Sequence, residues 1–201
     1  MRIAIVSDIH EDFENLQKAL NTINELNPDK IVCLGDIIGF ESKYYEYENS
    51  RSAKKCVQFL QKESDIIVSG NHELVATKQI PHFSQQIGFP NDWYTMDFQK
   101  KEEKYKNDFF LYKDEAENDL GIDELKLLSE LKSWEFLNNK DMCIMFSHFI
   151  YPDINGNRIN FFNTKKGFLS HFEWMSTNDI DISFVGHAHI EGVGIAHKKG
   201  L

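Results

Sequence analysis

Five short apolar runs in this chain each stop at a residue able to bind a metal or move a proton, and they all do so at the same end. Ile3-Ala4-Ile5-Val6 leads into Asp8 and His10, Ile31-Val32-Cys33-Leu34 into Gly35-Asp36, and Ile66-Ile67-Val68 into Gly70-Asn71-His72-Glu73. Met142-Cys143-Ile144-Met145-Phe146 leads into His148, and Ile182-Ser183-Phe184-Val185 into Gly186-His187-Ala188-His189. Runs of this length, rich in branched side chains, read as buried strands. A glycine such as Gly35 lets the backbone turn sharply, so that Asp36 emerges at the strand's C-terminal edge, where open α/β sheets bind their ligands. Singly, each ending has a plain explanation: Asp is a turn former, and a lone His is usually a packing residue. Five such endings at one edge are not explained by turns alone.

Between the runs the periodicity becomes helical. Phe13, Leu16, Ala19, Leu20, Ile23 and Leu26 recur at threes and fours, with Asp12 as a candidate cap and Pro28 beyond the end. A second helix is predicted from about Ser52 to Lys62, with Cys56, Val57 and Leu60 inward and Ser50 as its cap. The first third therefore reads βαβαβ, which implies parallel strands and right-handed crossovers. From 81 to 120 the periodicity fails, and aromatic residues from Phe83 to Tyr112 are interleaved with the charge run Lys100 to Lys106. We read this segment as polar helices packing aromatic side chains onto the sheet edge, with a substrate-contacting cap as the alternative. Further on, Asp123 is a candidate cap for a helix whose buried face is Leu125, Leu128, Leu131 and Trp134. A last helix carries Phe168, Leu169, Phe172 and Met175.

A chain of 201 residues is most simply one domain, spanning 1–201, with 81–120 as a helical and aromatic insert or cap. It starts directly on a strand, and no stretch approaches the ~20 apolar residues of a membrane span. Cys33, Cys56 and Cys143 lack a Cys-x-x-Cys spacing, which fits a reducing compartment and argues against zinc held by thiolates. The expected location is cytoplasmic. A net charge of −10 disfavours a nucleic-acid partner held by a basic face.

The ordered set Asp-x-His, Gly-Asp, Gly-Asn-His-Glu, His and Gly-His-x-His resembles the calcineurin-like metallophosphoesterases, over residues 8 to 189. The Gly35-Asp36-Ile37-Ile38-Gly39 form is similar to their small single-domain bacterial and archaeal phosphodiesterase-like branch. That resemblance implies an α/β fold, a four-layer α-β-β-α sandwich of two mixed sheets, with a metal site at the C-terminal strand edges. It implies two divalent metal ions: Asp8, His10, Asp36 and His189 would hold one, and Asp36, Asn71, His148 and His187 the other. It also implies hydrolysis of a phosphodiester or phosphomonoester by a water activated between the metals, with His72 as catalytic proton donor. Imidazole, carboxylate and amide donors suit manganese or iron, with zinc also open, better than magnesium or calcium.

Departures from the family pattern carry their own expectations. Gly35-Asp36 lacks the acid and arginine that follow it in the Ser/Thr protein phosphatases, so that activity is disfavoured and His72 is expected to lack its usual acidic partner. Glu11 and Phe149 replace glycines of many relatives and are expected to line the site's mouth, restricting which esters enter. Family members usually continue with further strands, so the second sheet is either smaller here or truncated at the C-terminus, and an exposed edge would favour a homo-oligomer. Glu73 is read as capping a helix start. Tyr44, Tyr45 and Tyr47 with Arg51 are read as packing, the alternative being a stacking platform with a phosphate grip. His82, His171 and His197 match no motif position and are read as surface or packing residues. The alternatives to a phosphoesterase are a catalytically silent scaffold on the same fold, as in the retromer subunit, and a metal-dependent nuclease. Scaffolds of that kind lose site histidines, and this chain retains them.

Overall fold

The computed structural model describes residues 1–139, 142–159, 165–190 and 193–196. Its first third is the βαβαβ unit: β1 (Ile3–Val6), α1 (Phe13–Glu25), β2 (Lys30–Cys33), α2 (Ala53–Glu63) and β3 (Ile66–Ile67). The strands are parallel in the order β1-β2-β3, with Val6 beside Cys33 and Cys33 beside Ile67. Successive residues of the central strand alternate between two cores. Ile31 and Cys33 pack with Leu16, Leu20, Val57 and Leu60 of α1 and α2, whereas Val32 and Leu34 pack with Ile144 and Phe146. A strand covered on both faces has to be apolar throughout, and this run is.

Ile144 and Phe146 belong to the second sheet, formed by β4 (Trp134–Asn139), β5 (Met142–Ser147) and β6 (Ile182–Phe184). There β4 runs antiparallel to β5, and β6 parallel to it. Its outer face is covered by α7 (Lys165–Thr177), whose Met175 and Phe172 meet Met145 and Cys143. The layers are therefore helices, sheet, sheet and helix, as expected. The first sheet, however, is wholly parallel among the described residues, and only the second is mixed. Leu34 and Phe146 are buried on the seam between the sheets, and each such side chain contributes roughly 1.5–3 kcal/mol relative to exposure.

Several local expectations are corrected. Ser52, not Ser50, caps α2 by accepting the Lys55 amide at 3.2 Å, while Ser50 donates to Tyr47 O. Helix α3 (Asn71–Ala76) precedes the insert, and α6 (Ile122–Ser129) follows it. Gly121 rather than Asp123 occupies the cap of α6, where Glu124 reaches back to accept its amide at 2.9 Å. Trp134 lies beyond that helix and opens β4, opposite Ser147 of β5.

The insert holds α4 (Ile80–Phe83), a 3₁₀ turn at Gln85–Ile87 and α5 (Phe98–Tyr105). Most of its aromatic residues pack away from the sheet edge. Phe89, Trp93 and Phe109 form a core with Ile80, Ile87 and Leu74 of α3, in which no strand takes part. Among the described residues no helix is long and apolar enough to cross a membrane.

His82 is exposed, and His197 lies outside the described residues. His171 of α7 is buried, and its Nδ1 accepts the Tyr151 amide at 2.9 Å. Burial pushes its pKa down to about 4, below the ~6.5 of an unfolded histidine. The unfolded chain therefore takes up this proton first, so the stability it contributes is complete above pH ~6.5 and is lost as pH falls toward ~4. From the shift, the loss is on the order of 3 kcal/mol. In His171→Asn, whose Oδ1 can accept the same amide, urea unfolding at pH 7 and pH 4.5 should show a smaller pH-dependent difference than in the parent; an equal difference would assign the titration elsewhere.

Candidate metal centre

The ladder between β1 and β2 continues past the ends of both strands. Asp8 N donates to Gly35 O at 3.1 Å, Ile9 N and His10 N both donate to Asp36 O at 2.8 and 3.0 Å, and Glu11 N donates to Ile37 O at 2.9 Å. Two loops are thereby zipped side by side, bringing the Asp8/His10 motif against Asp36. From the other side, the backbone amide of His72 at the start of α3 donates to Asp36 Oδ1 at 3.2 Å. The remaining oxygen, Oδ2, lies 3.1 Å from His148 Nε2 and 3.9 Å from His72 Nε2.

Around Asp36 the motif side chains fall into overlapping groups. Asp8, His10 and His189 offer ligand atoms within 4.8 Å of one another, as do His10, Asp36 and His72, and as do Asp36, His148 and His187. His10 and His189 face each other through their Nε2 atoms at 3.1 Å, and His189 Nε2 is 3.2 Å from Asp8 Oδ1. His148 Nε2 is 3.1 Å from His187 Nδ1. Asp8 also accepts the His187 amide at 3.0 Å, tying the loop after β6 to the loop after β1.

Whether these residues suit metal ions can be judged from their hydrogen bonds. His10 Nδ1 lies 2.9 Å from Gly39 O and His148 Nδ1 lies 2.8 Å from Leu34 O. A carbonyl only accepts, so each ring carries a proton on Nδ1 and turns Nε2 toward the centre, the orientation of a metal-ligating imidazole, which binds through Nε2 once any proton there is displaced. The inward end of the Asn71 side-chain amide lies 3.2 Å from Asp36 Oδ2 and 3.3 Å from His148 Nε2, His187 Nδ1 and Asn155 O; its NH₂ turned there hydrogen-bonds these atoms, and its oxygen turned there would join them around a cation. A carboxylate oxygen, two ring nitrogens and an amide oxygen at these distances suit one cation. The donor set fits.

Protons alone neutralise such a cluster unevenly. Burial would raise the Asp36 carboxyl, but His148 and His72 hold it well below the usual range. Burial likewise opposes charge on His148, yet Asp36 raises it to about 10. Burial pushes His10 to about 4 and, with the His148 charge, His187 to about 3.

Glu11 and Phe149 behave differently from their sequence readings, while Arg51 and the tyrosines follow the packing reading. Glu11 is 1% exposed and does not line a mouth: its carboxylate pairs with Arg51 Nη1 at 2.6 Å and accepts the Gly39 amide. Arg51 is consumed by that pair and by Glu117 O at 2.9 Å, which removes it as a phosphate grip. Phe149 is also buried, its ring 4.7 Å from that of His187. Of the tyrosines, Tyr45 stacks on His10 at 5.0 Å and Tyr47 donates to His10 O at 3.1 Å, so both support the ring.

The sequence reading missed most of what Glu73 does. It caps α3 by accepting the Gly70 amide at 2.7 Å, and it also accepts the amides of Asp36, Ile37 and Ile38 at 2.9, 2.8 and 3.3 Å. Burial and the Asp36 charge push its carboxyl up, while the Gly70 hydrogen bond pulls it down. His72 has an acidic partner after all: its Nδ1 lies 2.9 Å from Glu115 Oε2. No spacing or motif marks Glu115 in an acidic stretch of chain.

Two facing sheets, with carboxylate, amide and imidazole groups gathered where their strands end, define an α/β protein with a cluster fit for cations. The chain belongs to the calcineurin-like phosphoesterase family, whose sequence profile matches residues 1–191. It is 26% identical over 200 residues to an uncharacterised protein of Methanocaldococcus jannaschii, a match covering 94% of this chain and 62% of that one. Among solved structures it resembles a metallophosphoesterase from Sphaerobacter thermophilus, with TM-score 0.55, 22% identity, and 94% of this chain and 61% of that one covered. A hypothetical protein from Pyrococcus horikoshii OT3 gives TM-score 0.56 at 17% identity, with 92% and 68% covered. These structural likenesses speak to the fold. The chain spans about three fifths of the length of the M. jannaschii and S. thermophilus proteins.

Glu73→Gln would turn an NH₂ group toward amides that now donate to a carboxylate, and stranded buried donors cost about 1–3 kcal/mol each. We expect a lower urea midpoint and, because the Asp36 loop is released, roughly 10- to 100-fold weaker metal binding by calorimetry. Metal affinity unchanged from the parent would show that the Asp36 loop holds itself.

Proposed function

We propose that this chain hydrolyses phosphate esters, diesters or monoesters, at a two-metal centre built from Asp8, His10, Asp36, Asn71, His148, His187 and His189, with His72 as proton donor. What supports this reading is the convergence on Asp36, a carboxylate with 1% exposure faced by the imidazoles of His10, His72, His148 and His187 from four other segments and by the side-chain amide of Asn71. Asp8, His10, Asp36 and His189 would hold one ion, and Asp36, Asn71, His148 and His187 the other. When bound, such a pair lowers the pKa of a water between them and neutralises phosphoryl oxygens. Nitrogen and oxygen donors without thiolate favour manganese or iron, with zinc next.

The protein's own groups supply the rest. Asp36 is fixed through Oδ1 by the His72 amide, leaving Oδ2 for the centre. His72 Nε2 lies 3.9 Å from that oxygen, and in this reading it protonates the departing ester oxygen. Phe110 and Tyr112 set their rings edge-on to His187 and His72, at 5.9 and 5.6 Å. The substrate is proposed to be a small phosphate ester. With a net charge of −10, a nucleic acid is the weaker candidate. A silent scaffold would have no need of the complete ligand set. A cytoplasmic location is proposed from three free cysteines without paired spacing.

The test is a metal-reconstituted screen on bis-p-nitrophenyl phosphate, p-nitrophenyl phosphate and 2′,3′-cyclic nucleotides. Asp36→Asn should lose metal and turnover together. His72→Ala should keep its metal and lose turnover by about 10²- to 10⁴-fold. Full activity in His72→Ala would remove that residue from the mechanism. No turnover of any ester by metal-loaded protein would overturn the hydrolase reading.

A further inference from the structure

The partner of His72 comes from the insert. Glu115 and His72 leave only 10% and 11% of their side chains exposed at a 2.9 Å contact, so water competes weakly for either. Residues 109–119 around Glu115 run as a strap tied down at both ends. At one end Phe110 N donates to Asn157 O at 3.1 Å and Tyr112 Oη to Asn157 Oδ1 at 2.9 Å. At the other, Ala116 N donates to Phe40 O at 2.8 Å, and Asp119 accepts Ser52 Oγ at 2.6 Å and Lys54 N at 2.9 Å. Glu115 sits between these anchors.

The imidazole is held on its other sides as well. The rings of His10 and Tyr112 meet it edge-on at 5.1 and 5.6 Å. Gly39, at φ +94°, passes so close that a Cβ there would run into the ring. With Nδ1 occupied by Glu115, the nitrogen left facing Asp36 and the ligand cluster is Nε2.

We propose that Glu115 is the positioning residue of His72, fixing the proton on Nδ1 so that Nε2 delivers the other proton to the leaving group, and that the strap is the element that brings this carboxylate to the site. The proposal rests on the phosphoesterase reading. In the step itself, the bond from phosphorus to the leaving oxygen breaks with its electron pair on oxygen, and that oxygen takes the Nε2 proton. An alcohol departs and a neutral imidazole remains, its Nδ1 proton still shared with Glu115. The incoming water forms the new P–O bond, and the proton it releases restores the imidazolium.

An anchoring role and a positioning role differ in what Glu115→Gln does. The variant keeps the shape of the side chain but can present an amide N–H to Nδ1, favouring the wrong tautomer. Proton delivery matters most for a poor leaving group, so the comparison is bis-p-nitrophenyl phosphate against diphenyl phosphate, with metal content and thermal melting measured alongside. We expect kcat on diphenyl phosphate to fall about 10- to 100-fold, with a smaller loss on the nitrophenyl ester and KM little changed. Glu115→Asp should recover part of the loss, and Asp114→Asn, on the exposed side of the strap, should match the parent. In metal-free protein a downfield imidazole N–H resonance, absent from His72→Asn, should also vanish in Glu115→Gln. Equal losses on both esters, or a resonance that survives Glu115→Gln, would make Glu115 an anchor only and overturn the proposal. If the metal-loaded parent turns over no phosphate ester, p-nitrophenyl phosphate and the cyclic nucleotides included, the phosphoesterase reading fails, and the positioning role falls with it; that outcome is visible without any Glu115 variant.

Discussion

A carboxylate almost without solvent, Asp36, is the constraint on which the rest of the site depends. An isolated buried carboxylate is too costly to remain charged, so it must be neutralised, paired or saturated with hydrogen bonds. Here one oxygen is served by the amide of His72, and the other faces imidazoles and the Asn71 side-chain amide. A second buried carboxylate, Glu73, stands close by and is already saturated with backbone N–H groups, so it relieves none of this demand. The surrounding loops are arranged to satisfy a concentration of lone pairs, and positive charge is what such an arrangement calls for.

The strands were legible because they are covered on both faces: Ile31 to Leu34 is apolar at every position, and both of its neighbouring cores are now visible. Helix α1 was legible for the complementary reason, a stripe at helical spacing behind a cap, and Asp12 does accept the Asn15 amide. β4 was not. Trp134 and Phe136 each keep more than a third of their surface exposed, and the strand is specified mainly by pairing with β5, a non-local partner that no window of sequence contains. Ser50 and Ser52 offer the same chemistry two positions apart, so only the path of the backbone distinguishes them.

Acidic residues were the hardest to read. Glu11, Glu73 and Glu115 look alike in an acidic chain, yet one is closed off by Arg51, one gathers backbone amides and one meets a histidine. The differences are tertiary. Glu115 reaches His72 only because the insert builds a core of its own, in which Phe89, Trp93 and Phe109 pack with Leu74 of α3. That core takes its support from the helix that carries His72, so the strap is positioned from the same base as the residue it contacts.

The backbone at the site explains why turn chemistry and ligand chemistry were entangled in the sequence. Asp8, His10, Asp36, His187 and His189 all adopt positive φ, between 46° and 66°. Asp, Asn and His enter this left-handed region more readily than other side chains, yet each such position still stores on the order of 1 kcal/mol or more of strain. A turn former at the end of each strand is therefore the right local explanation of the motif, but an incomplete one. Turns alone do not require strained conformations at five residues whose side chains converge. The strain persists because the zipped loops after β1 and β2, and the Asp8 contact to the His187 amide, over-determine it. What they hold in return is a rigid set of lone pairs, organised before any ligand arrives.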